Sequence, residues 1–377
     1  MSSAISGAKI LTPEGWLDEH ALVIDGERIV AIEPSDHRPN DAIVQHLNGG
    51  YLVPGFLDVQ VNGGGGVLFN DRPDLEGIRA IAEAHRRFGT TALLPTLISD
   101  DLSVITKAIA AVEEAIEAGV PGVIGIHLEG PFLNPDKRGV HDAGKFRRID
   151  AAAVELLSSL RGGVTLVTLA PELAAGGMVA ALSARGVIVA AGHTTADYAC
   201  MTRAVEEGMS GVTHLFNAMT QMESRSPGVV GAALDAKLFC GLIVDGLHVH
   251  RASMRVAFAA AGVDHLMLVT DAMPTVGMTD KRFTLGGRQI VAEGGACRAA
   301  DGTLAGSDLD MAQAVRNAMA MLGVDLAQAS IMASATPARF LGFSETLGAI
   351  RPGLRADLVH LDEALQVCGV WVGGVPR

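Results

Sequence analysis

The sequence is short of charge, of cysteine and of unbroken apolar runs, and each shortage narrows what the chain can be. Only 19% of its 377 residues are Asp, Glu, Lys or Arg, against 49% hydrophobic. A chain of that balance buries a core rather than staying disordered. Positive charge is the scarcer sign: 29 Lys and Arg stand against 42 Asp and Glu, a net charge of −13. That argues against a nucleic-acid partner, which needs a basic face. A small phosphorylated ligand needs only a local Arg/His pocket and is still allowed. The four cysteines, Cys200, Cys240, Cys297 and Cys368, lie far apart and form no C-x-x-C pair. They read as packing residues in a reducing compartment. No uninterrupted apolar stretch reaches the roughly 18 residues of a membrane span. The start, MSSAISGAKILTPEGW, has no basic segment followed by an apolar one, so no signal peptide is expected. The expected setting is cytoplasmic, with no membrane partner.

What is present falls into two patterns. Residues 1–52 alternate apolar and polar positions around an Asp25-Gly26 turn, the signature of β-hairpins. Residues 353–376 have the same flavour, so a small β-sandwich domain built from both termini, 1–52 with 350–377, is expected. Between them, over 53–349, apolar runs alternate with helical segments. The strands expected are 55–61, 91–97, 123–129, 164–170, 187–193, 211–215, 240–245 and 266–271. Helices are expected at 74–88, 101–118, 151–160 and 196–207, among others. Near-continuous apolar runs suit buried parallel strands. Eight such units argue for an α/β fold, a (β/α)8 TIM-like barrel; an open doubly wound sheet usually has fewer strands. A β-hairpin insertion is expected at about 281–305, with helices at 308–322 and 326–341 closing the barrel.

Barrel chemistry sits at the C-terminal ends of the strands. Strand one ends on Gln60 and Asn62, strand three on Glu129, strand five on His193, strand six on His214 and strand eight on Asp271. Strand seven leads to His248 and His250. Taken singly, a histidine at a strand end is more often a hydrogen-bonded structural residue. Asp271 could equally cap a helix, and Glu129 could pair with Arg138. Convergence on one rim changes the reading. One carboxylate and two imidazoles form a set that zinc accepts with a fourth position open, and Asp271 would stand near enough to move a proton.

Several segments together, VPGFLDVQVNG, GIHLEGPFLNPDKRGVHD, AGHTTA, THLFNAM, DGLHV, LVTDAM and GTLAGSDLDM, resemble the N-acetylglucosamine-6-phosphate deacetylase family of the amidohydrolase superfamily. The resemblance runs in order from about residue 50 to 355. It implies one divalent metal ion per subunit on Glu129, His193 and His214, zinc first, with iron, manganese or cobalt also suited to the set. It implies Asp271 as catalytic acid/base and His141 as a second catalytic group that contacts the substrate and polarises the acetyl carbonyl. Substrate contacts are implied at Asn217, Ala218, Leu304, Ala305 and Gly306, and phosphate contacts at Arg225 and His248. It also implies a homodimer in which the arginine reaches the neighbouring subunit's site. The substrate implied is a phosphorylated amino sugar, N-acetylglucosamine 6-phosphate, hydrolysed to glucosamine 6-phosphate and acetate. His250 has no role in this scheme and reads as structural.

The superfamily usually carries His-X-His on strand one; here those positions are Asp58 and Gln60. Some members of the family share the glutamine and hold one metal. Gln60 is expected to hydrogen-bond a ligand or a coordinated water rather than the ion itself. Asp58 could cap the strand or brace a histidine. Two rivals stay open. One is another amidohydrolase acting on a different N-acyl compound or a cyclic amide. The other is a barrel that binds a sugar phosphate without hydrolysing it.

Overall fold

The computed structural model describes residues 3–37 and 43–377. Its centre is a sheet of eight parallel strands that follow one another in chain order. They are Phe56–Val61, Thr90–Ile98, Gly125–Glu129, Val164–Leu169, Ile188–Ala191, Gly211–Val212, Phe239–Ile243 and Leu266–Val269. Each expected strand lies where the apolar runs place it, because a strand covered by helices on one side and barrel core on the other selects for apolar residues at nearly every position. The first two strands are buried along their whole length.

The ring closes between strands eight and one just beyond the end of strand eight. The Asp271 N–H donates to the Gln60 carbonyl at 3.0 Å, and the Asn62 N–H to the Ala272 carbonyl at 2.9 Å. A side chain reinforces this seam. Asp58, fully buried, accepts from the Thr270 hydroxyl, the Thr270 N–H and the Gln60 N–H. It therefore joins the barrel's first and last strands, a role different from the strand cap or histidine brace considered above.

Helices between the strands start where the sequence offers a cap. Asp74, Asp150, Asp197 and Asp310 each accept a backbone N–H of the first turn, the usual use of Asp at such a position. The helix Leu75–Arg86 then lays Ile78, Ile81, Ala82 and Ala84 on the barrel. The expected helix at 326–341 is instead two, Leu326–Ala333 and Ala335–Phe340, broken at Ser334. Pro337 has no N–H to give the Ala333 carbonyl, so a continuous helix would lose that bond and clash.

Both termini feed two small sheets. One is built from Ser3–Ser6, His20–Asp25, Arg28–Pro34 and Ile43–His46; the other combines Lys9–Thr12, Gly15–Leu17 and Tyr51–Pro54 with Leu358–Leu361, Val367–Val372 and Val375–Pro376. Ile5, Ile10, Leu22, Ile24, Leu52, Leu358 and Trp371 form one shared core, which makes the pair a sandwich.

The expected hairpin at about 281–305 is replaced by a four-stranded antiparallel sheet, Arg282–Leu285, Arg288–Glu293, Ala296–Ala299 and Leu304–Ser307. The segment carries three turns, at Gly286-Gly287, Gly294-Gly295 and Asp301-Gly302, and three turns divide it into four strands. Its last strand docks on the barrel rim, where the Ser307 N–H donates to the Asp271 carbonyl at 2.9 Å.

Barrel packing is tight enough to test. A Cβ on Gly125 would lie 2.1 Å from the Val164 carbonyl oxygen of the neighbouring strand, a backbone atom that cannot swing aside. Gly125→Ala is expected to cost about 1–3 kcal/mol, seen as a lower urea midpoint at unchanged slope. An unchanged midpoint would contradict this packing.

Candidate active site

Strand three delivers Glu129 at its last position, fully inside the rim. His193 and His214 lie just past strands five and six, and Asp271 just past strand eight. These last three share an uncommon backbone: φ is +50° at His193, +35° at His214 and +52° at Asp271. Such a left-handed conformation costs a non-glycine residue on the order of 1–3 kcal/mol. It turns each side chain off its strand's direction and in towards the axis. Strain at three of the four chemically interesting residues marks the rim as functional.

The three side chains converge. Glu129 Oε1 lies 3.2 Å from His193 Nε2 and 3.0 Å from His214 Nε2, and the two Nε2 atoms are 3.0 Å apart. Ligands held about 2.0–2.2 Å from a tetrahedral ion stand only slightly farther apart than this. His193 is already in the right tautomer, because its Nδ1 lies 2.7 Å from the Lys137 carbonyl, which can only accept. The Nε2 lone pair is thereby left for an ion. With no ion in the cluster those Nε2 atoms carry protons instead: burial resists charge on Glu129, but the bonds then donated by His193 and His214 outweigh it and hold its carboxyl well below the usual range. Burial also opposes charge on His214, yet Glu129 outweighs it and raises the imidazole. Glu129 thus stays anionic in a buried site, the state a ligand requires. Among the described residues this is the one cluster of three or more such groups able to hold an ion. The residues fit a single divalent cation.

Gln60 is fully buried and its Nε2 donates to both carboxylates, Glu129 Oε2 at 3.2 Å and Asp271 Oδ1 at 3.1 Å. Asn62, given no role above, donates to the same Asp271 oxygen at 2.6 Å. Burial first, then the nearby Glu129 charge, push the Asp271 carboxyl up to about 6. Gly306 closes the space behind it: at φ +73° a Cβ there would sit 2.7 Å from the Asp271 carbonyl. Beneath the site, His127 lies 2.7 Å from the Thr168 hydroxyl, which lies 2.6 Å from that of Thr213. Burial holds His127 down at about 4, so this floor is neutral and adds no charge under the cluster.

His141 approaches from the loop after strand three, its ring 4.4 Å from that of His193. The Ser99 N–H donates to its Nδ1 at 3.3 Å, which makes Nδ1 the acceptor and places the ring proton on Nε2. Burial, then the His193 charge, push it down to about 3. It is a neutral imidazole with an N–H to offer. His248 is fixed from the other side: its Nδ1 lies 2.5 Å from Asp245 Oδ2, and Asp245 also accepts the Leu247 and His248 N–H groups.

A cavity of about 440 Å³ opens above these groups, a size that suits a small organic ligand. Glu129, His141, His193, His214, Asn217, Ala218, His248, Asp271, Leu304 and Gly306 all line it. Two expected contacts do not. Ala305 turns into the small core beneath the four-stranded sheet, with Met273, Ile290 and Cys297. Arg225 is exposed on the loop before the helix Gly228–Asp235 and stays outside the cavity lining. Within one chain it does not serve this site. Lys137 and Arg138 do line it. They stand in the quoted segment NPDKRGVHD, but nothing in their spacing separates them from an ordinary surface pair. His250 caps the helix Arg251–Ala261 through its ring nitrogen, a structural place.

A model of the amidohydrolase family matches residues 51–376. The chain is 45% identical over 376 residues to the N-acetylgalactosamine-6-phosphate deacetylase of Shewanella sp. (strain ANA-3), covering 98% of this chain and 94% of that one. Among solved structures it resembles the N-acetylglucosamine-6-phosphate deacetylase of Pasteurella multocida, with a TM-score of 0.97, 34% identity and full coverage of both chains. It also resembles a mutant of the Mycobacterium smegmatis enzyme in complex with N-acetyl-D-glucosamine 6-phosphate, with a TM-score of 0.91, 32% identity and coverage of 100% and 99%.

The geometry predicts a cation count. Dialysed against zinc, the chain is expected to retain close to one ion. His193→Ala should weaken retention by more than the roughly 10–100-fold that losing an outer partner costs. Two tightly held ions per chain, measured by elemental analysis, would contradict the single-ion site.

Proposed function

The chain belongs to the amidohydrolase family, and from that premise we propose that it hydrolyses the acetamide of N-acetylglucosamine 6-phosphate. The products are glucosamine 6-phosphate and acetate, a step of amino-sugar catabolism and cell-wall recycling. The observation that carries the reading is the cavity in which one cation-binding cluster, one partly tethered carboxylate and one neutral imidazole face the same space.

A divalent cation on Glu129, His193 and His214, with zinc the first choice, supplies Lewis acidity and lowers the pKa of water towards neutrality. The chain supplies the rest. Asp271 Oδ1 is occupied by two amide donors, so Oδ2 is the oxygen that accepts a proton from water as its oxygen attacks the acetamide carbon. His141 Nε2–H donates to the carbonyl oxygen as negative charge builds on it. Asp271 then returns the proton to the amine nitrogen as the C–N bond breaks. A carboxyl near 6 suits both duties, since the ideal shuttle titrates close to the working pH.

His248, together with Lys137 and Arg138 at the mouth, faces the phosphate. Arg225, exposed and unused in its own cavity, suits a neighbouring copy, which supports a homodimer. Four free cysteines and the absence, among the described residues, of any helix long and apolar enough to cross a membrane are in keeping with a cytoplasmic enzyme.

A second reading has its own observation. The relative at 45% identity is named for the galactosamine sugar, which differs from the glucosamine one only in the configuration at C4. Acetate release from both 6-phosphates and from both unphosphorylated sugars decides between them. Either 6-phosphate should be preferred over its free sugar; preference for a free sugar would overturn the phosphate assignments. Asp271→Asn is expected to keep the cation and lose about 10²–10⁴-fold in kcat. Asp271 must be ionised to accept the proton, and its raised pKa keeps it protonated until about pH 6. Activity should therefore fall as pH drops through about 6, or lower with the cation bound, because positive charge favours the carboxylate. Near-normal turnover of Asp271→Asn would sink the assignment.

A further inference from the structure

We propose that Asn62 is a positioning residue for the reaction, holding one oxygen of Asp271 so that the other alone faces the substrate. The inference rests on the acid/base role given to Asp271 above. Asn62 closes strand one and is completely buried, yet it lines the cavity. Its backbone is fixed on both sides, with its N–H on the Ala272 carbonyl and its carbonyl taking the Phe69 N–H, both at 2.9 Å. Its side chain makes one hydrogen bond among the described residues, from Nδ2 to Asp271 Oδ1 at 2.6 Å. The amide orientation follows from the partner: the opposite placement would set an oxygen against a carboxylate oxygen.

Two features separate this from ordinary core packing. The first is that Asn62 Oδ1 is buried and has no hydrogen-bond partner among the described residues. A buried polar atom without a partner is uncommon and calls for a reason. Here the donor end is spent on the Asp271 carboxylate, and no other described residue uses the side chain, so its one bond within the fold is to the reacting group. The second is the division of work with Gln60. Gln60 donates to the same Asp271 oxygen, but it also donates to Glu129, so its loss disturbs the cation cluster. Asn62 makes no hydrogen bond to that cluster among the described residues. It acts on Asp271 alone, and through orientation: with Oδ1 held by two donors, rotation of the carboxylate about its Cβ–Cγ bond is blocked. Oδ2 stays aimed at the space where the water and the departing amine must exchange a proton.

The test compares Asn62→Leu, Asn62→Ala and Asn62→Asp with the wild type, all loaded with the same cation. Acetate release from the preferred 6-phosphate gives kcat and KM; elemental analysis and thermal melting run alongside. The leucine and alanine variants are expected to lose about 10–100-fold in kcat and to keep KM within about twofold, as fits loss of an interaction used in the chemical step. Cation content and melting temperature should stay at wild-type values. Asn62→Asp preserves volume but sets an oxygen against Asp271, so it should lose at least as much as alanine; a space-filling role predicts the reverse. Retention of kcat within twofold in Asn62→Leu overturns the proposal. So does a rise in KM alone, or loss of the cation. Crystal structures of wild type and Asn62→Leu give a readout free of the substrate: the Asp271 carboxylate should lose its fixed orientation, and an unmoved carboxylate overturns the proposal. That readout holds even if the wild type releases no acetate, an outcome that would count against the proposed function instead.

Discussion

The seam where strand eight meets strand one is the constraint on which the site depends. Strand one offers Asp58, Gln60 and Asn62 on alternate positions, and all three engage the segment Thr270–Ala272. Asp58 fastens Thr270 by its hydroxyl and N–H. The Gln60 carbonyl receives the Asp271 N–H, and Ser307 from the inserted sheet donates to the Asp271 carbonyl. Asp271 is therefore gripped on both faces of its peptide while its φ sits at +52°. A strained backbone persists only where its surroundings over-determine it. Here they do so with backbone bonds, a buried carboxylate and the close fit of Gly306.

The electrostatics of the rim follow from the same arrangement. Glu129 and Asp271 are two carboxylates brought close in a buried place, and such pairs drive their pKa values apart. Glu129, beside two imidazoles, goes down; Asp271, beside amides and facing the Glu129 charge, goes up. One becomes a permanent anion fit for a cation, the other a group that takes and releases a proton near neutrality. Gln60 stands between them with a donor to each, so the two carboxylates are coupled without touching.

The fold was legible because its signals are repeated: eight apolar runs separated by helical segments, six of them ending on or leading into polar residues. The cation cluster was legible because Glu129, His193 and His214 each end a strand, and strand ends in a barrel converge. What escaped was what depends on a partner distant in sequence. Asp58 and Thr270 are 212 positions apart, and nothing local in DVQVNG says that its carboxylate faces the last strand. Asn62 reads only as a polar strand end before glycines, and the closed barrel alone shows it against Asp271. Lys137 and Arg138 look like any basic pair until the loop folds over the mouth. The four-stranded insertion, by contrast, could have been read locally, since each of its three turns is written as Gly-Gly or Asp-Gly.

The same seam keeps the strand-one side chains Asp58 and Gln60 engaged with protein groups. Positions 58 and 60 face the barrel interior, where a pair of imidazoles would bind a second, deeper ion. Asp58 has donors on both its oxygens, and burial pushes its carboxyl up to about 7 despite them, so its charge is poorly supported and already engaged. Gln60 turns its NH₂ towards Glu129 and Asp271; a cation in that space would meet N–H dipoles pointing the wrong way. The floor below is the His127–Thr168–Thr213 chain, whose one imidazole already meets the Thr96 and Thr168 hydroxyls through its two ring nitrogens, so only hydroxyls are left to face an ion. The space a second ion would need is thus occupied by hydrogen bonds that hold Asp271 in place. Bringing two histidines into strand one would release that carboxylate from Gln60 and from the Asp58 strut, so a second ion and a tethered Asp271 are alternative uses of the same three residues.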